Sequence, residues 1–160
     1  VNNILNKFND EKSADVVFEV GSTSQEGKNS SKKAKTATNF HAHRVILQDG
    51  APLLAELCKP SADGESVATA SIADIKPEIF KHVLYYVYGG KLAEEELEEN
   101  AKEIIDACDK YGVVSLKLEA EVSYVKSTTL TNDNIIDNLL YADSKNLALL
   151  KESVMDYMVA

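Results

Sequence analysis

The 19 residues from Gly21 to Asn39 hold no apolar side chain larger than alanine, yet they separate two segments with the same alternating pattern. Before the gap, Asp15-Val16-Val17-Phe18-Glu19-Val20 sets Val16, Phe18 and Val20 on one face, the two-residue period of a half-buried strand. After it, Phe40-His41-Ala42-His43 resumes the alternation. The intervening Ser, Thr, Asn and Gly, with Lys28, Lys32, Lys33 and Lys35 close together, read as a flexible insertion over 21–39. The chain is thereby constrained to a strand hairpin with an overlong connection.

A hairpin needs a layer to bury its apolar face, and the rest of the sequence supplies one. Ile4, Leu5 and Phe8 form a short helical stripe ahead of the first strand. Val45, Ile46 and Leu47 follow the second strand, and Pro52 is placed to open a helix carrying Leu53, Leu54, Leu57 and Cys58, which Lys59-Pro60 ends. Ser66 to Ile72 suits a third strand. Pro77 opens a helix with Phe80, Val83, Leu84 and Val87 on its stripe, terminated by Gly89-Gly90. Leu97, Ala101, Ile104, Cys108 and Tyr111 recur at four- and three-residue steps up to Gly112, and Leu118, Val122 and Val125 mark a further helix. A last pair starts at Thr131, a good N-cap, with Ile135, Ile136, Leu139 and Leu140, then Leu147, Leu150, Val154 and Tyr157 beyond a break near Asn146. The order predicts an α+β fold, a small three-stranded sheet capped by helices, with the final pair appended to the core.

Charge and composition narrow the function. With 17 Lys and Arg against 26 Asp and Glu, a net charge of -9 argues against direct nucleic-acid binding, which draws on counterion release by cations. Cys58 and Cys108 stand alone inside helical patterns, so a reducing intracellular compartment, nucleus or cytoplasm, is expected. No run approaches the length that crosses a bilayer. The chain begins at Val1 and stops at Ala160 inside an apolar pattern, so a longer parent is expected at one or both ends.

Chemistry has little to work with. No GxSxG elbow, Walker loop or GxGxxG is present, so no catalytic apparatus and no cofactor are expected. His41 and His43 share a strand face, but no third ligand follows at a matching spacing; His43 reads instead as a partly buried hydrogen-bonding residue and no metal is expected. Tyr85, Tyr86 and Tyr88 fall on different faces of one helix and read as core edges with wet hydroxyls. The acidic run Glu94 to Glu99 reads as a solvated helix start favoured by the dipole.

Three ordered motifs carry a resemblance: Asp15 to Val20, Phe40-His41-Ala42-His43-Arg44-Val45-Ile46-Leu47, and Pro77-Glu78-Ile79-Phe80 through Tyr88-Gly89-Gly90. Together with Ala107 to Gly112 and Leu116, they closely resemble the BTB/POZ family, and Leu130 to Leu150 is similar to the paired helices that follow the core in adaptor members. The resemblance implies a BTB/POZ domain over 1–125 and a post-BTB helical pair over 126–160. It implies a non-enzymatic module that homodimerises through its first helix, here Ile4, Leu5 and Phe8, with Ile46 at a matching dimer-face position. Asp15 and Arg44 match a charged pocket near the dimer floor, where carboxylate and guanidinium can pair in bidentate fashion. Many members recruit a cullin scaffold to build a ubiquitin ligase; the matching contact residues are Leu57, Cys58, Ala62, Asp63, Glu65 and Tyr111. Where those adaptors carry an apolar residue, any residue, then Glu, this chain reads Ser61-Ala62-Asp63-Gly64-Glu65, with a smaller apolar group and the glutamate one place late. The alternative is a dimerisation scaffold or transcriptional-regulator module without cullin binding.

Overall fold

Val16, Phe18 and Val20 alternate because each must leave water on the same side, and all three are fully buried in strand β1 (Val16–Val20). The computed structural model describes residues 4–21, 37–58 and 67–160, so most of the Lys-rich insertion and the 61–65 loop lie outside the described residues. The described chain forms two compact units, which divide between Lys91 and Leu92.

In the first unit, β1 is the central strand. It pairs antiparallel with β2 (Thr38–Ala42), in register Phe18 to Phe40, and parallel with β3 (Ala68–Ile72), in register Val20 to Ile72. The two predicted strands thus pair antiparallel, and the third strand takes the far edge. A single 3-10 turn, Leu5–Lys7, precedes β1 where a short helix is predicted. Helices α1 (Arg44–Gly50) and α2 (Pro52–Leu57) follow β2 with only Ala51 between them. Helix α3 (Pro77–Val87) lies over the sheet: Phe80 sets its ring 5.1 Å from Phe18 and 5.2 Å from Phe40, tilted as aromatic quadrupoles prefer. Gly89-Gly90 ends α3 for two distinct reasons. Gly89 takes a left-handed φ of 90°, and a Cβ on Gly90 would run into the Tyr85 ring.

The second unit is helical. Helix α4 (Glu94–Tyr111) buries Ala101, Ile104, Cys108 and Tyr111 of the predicted stripe, leaves Leu97 half-buried, and ends at Gly112 with φ 74°. It kinks at Asn100, whose side-chain amide donates to the Glu96 carbonyl at 3.0 Å. In α5 (Val114–Ser127) the buried face differs from the one expected. Leu116, Ala120, Glu121 and Ser123 face inward, whereas Leu118 is half exposed. The apolar residues of α5 run all round the helix, so their spacing alone does not fix the inward side. Thr131 and Asn134 exchange hydrogen bonds, Thr131 N–H to Asn134 Oδ1 at 2.8 Å and Asn134 N–H to Thr131 Oγ1 at 3.3 Å, and so start α6 (Ile135–Lys145). Asn146, at φ 56°, ends it, and α7 (Ala148–Val159) completes the chain.

The start of α7 has no capping side chain of its own. Glu121, buried on α5, supplies the acceptor: its Oε1 takes the N–H of Leu149 at 2.7 Å and of Leu150 at 3.2 Å. A buried carboxylate is tolerable here because two helix-terminal amides meet it. Removing it orphans both donors. Glu121→Ala is expected to lower the unfolding free energy by about 1–3 kcal/mol in urea denaturation, and Glu121→Gln, which keeps an acceptor, by less.

Buried thiols and a buried phenol give the fold an alkaline limit. Burial pushes Cys58 up to about 11 and Cys108 up to about 12, from ordinary values of 9.0. Burial also pushes Tyr88 up to about 12, from 10.0. Unfolded chains release these protons first, so the stability these groups contribute is complete below pH 9 and is lost as pH rises through 11 to 12. The expected result is a melting temperature that falls progressively above pH 9, with both thiols slow to react with a thiol reagent until the chain unfolds.

Candidate interaction surfaces

β2 becomes α1 with a single residue, His43, between them, and this junction organises the first unit. His43 sits as the N-cap residue with extended backbone, but its side chain caps nothing. The Arg44 N–H is taken instead by Asp15 Oδ1 at 2.8 Å, from the chain just before β1. The sequence suggests a carboxylate–guanidinium pair for these two residues; the observed contact is carboxylate to backbone amide. Physically, the first amide of α1 has no acceptor within its own helix, and the negative charge also meets the positive end of the dipole.

The His43 ring is engaged at both nitrogens. Ser13 Oγ lies 2.8 Å from Nε2, and Tyr88 Oη lies 2.7 Å from Nδ1 and also accepts the His43 backbone N–H at 2.9 Å. Ser13 donates onward to Asp10 Oδ2 at 2.7 Å. The chain of donors assigns the tautomer: Ser13, having donated to Asp10, accepts from Nε2–H, which leaves Nδ1 bare for the Tyr88 hydroxyl proton. The Ser13 hydrogen bond also holds the Asp10 carboxyl below the usual carboxylate range. Tyr88 is therefore fully buried with its hydroxyl held by protein, and not a core edge with a wet hydroxyl as its helix position suggests. Nearby, Asn9, at φ 54°, accepts the His41 N–H at 2.8 Å and pins the N-terminal segment to β2. His41 and His43 thus each serve a hydrogen-bonded joint.

The residues expected to face partners fall in different places. Ile4 is 49% exposed, Leu5 and Ile46 are half-buried, and Val45, which spacing did not single out, is 73% exposed. Phe8 is turned into its own unit, edge-on to Tyr85 at 5.4 Å and Tyr88 at 6.0 Å. On α2, Leu53 and Leu57 are exposed while Leu54 and Cys58 are buried. Tyr111 is buried in the second unit. Ala62, Asp63 and Glu65 lie outside the described residues. In the second unit an open cavity of about 280 Å³ is lined by Val125, Thr128, Leu130, Leu150, Ser153 and Tyr157. Tyr157 steadies its rim by donating to Asn132 Oδ1 at 2.8 Å. The described residues thus offer exposed apolar surface in both units.

Tyr88→Phe is expected to be the costliest single-atom change at the His43 junction, because it leaves a buried N–H and a ring nitrogen without partners. A loss of about 1–3 kcal/mol in urea unfolding is expected, against a smaller loss for Ser13→Ala at the exposed end of the same chain of hydrogen bonds.

Comparison with known proteins agrees with this architecture. The family model of the BTB/POZ domain matches residues 5–128. Similar proteins from Mus musculus include TD and POZ domain-containing protein 1-like and TD and POZ domain-containing protein 1, each 27% identical over 119 residues. TD and POZ domain-containing protein 4 is 25% identical over 120 residues. The matches cover 74–75% of this chain and 32% of each relative, so the chain spans about a third of the length of the curated relatives it matches. Among the described residues, no helix is long and apolar enough to cross a membrane. The matched region takes in the sheet, the His43 junction and helices α1 to α5, and the chain belongs to the BTB/POZ domain family of protein–protein interaction modules.

Proposed function

We propose that this chain homodimerises and acts as an intracellular adaptor, bringing a cullin scaffold to a substrate for ubiquitination. The exposed apolar side chains of the first unit carry the reading. Ile4 and Val45, exposed, and Leu5 and Ile46, half-buried, are large aliphatic groups that a second copy would remove from water. Each fully covered side chain of this kind contributes on the order of 1.5–3 kcal/mol. Phe8 enters this face indirectly, by anchoring the segment that carries Ile4 to Tyr85 and Tyr88.

For the scaffold contact, Leu57 is 50% exposed at the end of α2, immediately ahead of the stretch holding Ala62, Asp63 and Glu65. Cys58 and Tyr111, buried as they are, support neighbouring surface and do not themselves meet the scaffold in this reading. Residues 126–160 serve as the post-BTB pair, and the cavity bounded by Leu130, Leu150 and Tyr157 suits an apolar side chain of the partner. One observation favours a second reading, a dimeric scaffold without cullin: the Ala62 side chain is small and Glu65 comes one place late, which weakens the apolar plug.

Light scattering of the chain mixed with the N-terminal half of a cullin tests both parts. The expected mass is that of two chains with two cullin fragments; Leu57→Asp returns the bare dimer, and Ile4→Asp with Ile46→Asp yields a one-to-one complex. A bare dimer at roughly tens of micromolar of each partner rejects the cullin reading in favour of the scaffold, and a bare monomer rejects both.

A further inference from the structure

The net charge of the chain is carried by one unit. Residues 1–91 hold eleven Asp and Glu against eleven Lys and Arg, whereas residues 92–160 hold fifteen Asp and Glu against six Lys. Most of those lysines already have partners inside the unit. Lys117 reaches Asp109 at 2.8 Å, Lys151 reaches Asp143 at 3.2 Å and Lys145 reaches Asp106 at 3.7 Å. Lys102 lies between the faces of Tyr141 and Tyr124, at 5.0 and 5.4 Å from their centroids. The unit thus holds nine more carboxylates than ammonium groups.

That charge is patterned with apolar surface on the last two helices. Asp133, Ile136, Asp137 and Leu140 follow one another at steps of three, one and three along the turn that starts α6 and along α6 itself. Glu152, Met155, Asp156 and Val159 repeat the same acid, apolar, acid, apolar order at the same steps along α7. All eight residues are exposed, with Ile136 at 55%, Leu140 at 62% and Met155 at 52%; Val159 is the last residue but one of the sequence. Residues at these spacings share one side of a helix, so each helix presents a stripe of aliphatic groups interleaved with carboxylates and containing no cation. On each helix the two apolar groups of the stripe stand four residues apart, one turn from each other, and so form a paired patch rather than a lone exposed side chain.

We infer that the α6–α7 pair is a docking surface for a cationic amphipathic helix of another protein. Such a partner sets leucine-like anchors against Ile136 and Leu140, or Met155 and Val159, while lysine stems lie across the aliphatic groups and carry their ammonium heads to the carboxylates. A second copy of this chain is disfavoured as occupant, because it brings carboxylate to carboxylate on a unit with a net charge of -9. Anionic membranes and nucleic acids are disfavoured for the same reason. The surface does not depend on the cullin reading and survives its failure.

The test is fluorescence anisotropy of a labelled synthetic helix with leucines at i, i+4 and i+7 flanked by lysines, titrated with the full chain beside a scrambled peptide of identical composition. Saturable binding below roughly 100 μM, at least tenfold tighter than the scramble and weakening with salt, is expected. Ile136→Ser with Leu140→Ser, or Met155→Ser with Val159→Ser, is expected to remove at least tenfold of that affinity. Asp133→Asn with Asp137→Asn, or Glu152→Gln with Asp156→Asn, is expected to flatten the salt dependence of the same stripe. These side chains are exposed, so an unchanged thermal melt serves as the folding control. Equal binding of both peptides, no binding, or indifference to every stripe variant overturns the proposal. So does a drop in the mass of the unliganded chain on Leu140→Ser, which assigns the stripe to a second copy.

Discussion

A strand that turns into a helix with one residue between them must find acceptors for amides that neither element can satisfy. At His43 the first unit solves this with groups drawn from elsewhere in the chain: Asp15 for the Arg44 N–H, and the Tyr88 hydroxyl for the His43 N–H. The partners are 29 and 45 residues away in sequence. Because α1 starts only where those acceptors lie, the position of the helix behind Val45 and Ile46 is tied to β1 and to the end of α3. The apolar surface that the first unit offers to other chains is therefore set by three hydrogen bonds beneath it and the Ser13 contact beside them.

The elements built on burial were legible from the residues alone. Val16, Phe18 and Val20 could occupy one side of a strand in only one way, and the stripe from Ala101 to Tyr111 admits a single inward face. Pro52 and Pro77 stand in the first turns of α2 and α3, where the missing N–H costs nothing. What periodicity missed was of another kind. In α5, apolar residues surround the helix and the inward side includes Glu121, a charged residue whose role depends on amides 28 and 29 positions later. Asp15 and Arg44 were recognisable as a pair, but sequence gives side-chain types and not the orphaned amide that decides which group of Arg44 the carboxylate meets. Tyr88 shows the same limit: its place at the end of the Pro77 helix pattern suggested a margin position, and its burial goes with its hydrogen bonds to His43.

The surfaces divide along chemical lines. In the first unit the exposed large side chains include Ile4, Val45, Leu53, Leu57 and Val67, in a stretch of sequence whose acidic and basic residues are equal in number, which suits contacts governed by fit and by removal of water. The second unit combines its exposed aliphatic groups with uncompensated carboxylates, which adds long-range selection by sign before contact is made. The two units of this family member thus differ in the kind of surface they expose.

Glu121 also limits how this chain can be recombined. Because the amides that open α7 are satisfied from the middle of α5, the terminal helix is not a portable cassette. A chimera joined after Ser127 inherits α6 and α7 from one parent and the carboxylate from the other. Only parents with an acceptor at position 121 are interchangeable there, so drift in the tail is coupled to one glutamate far upstream.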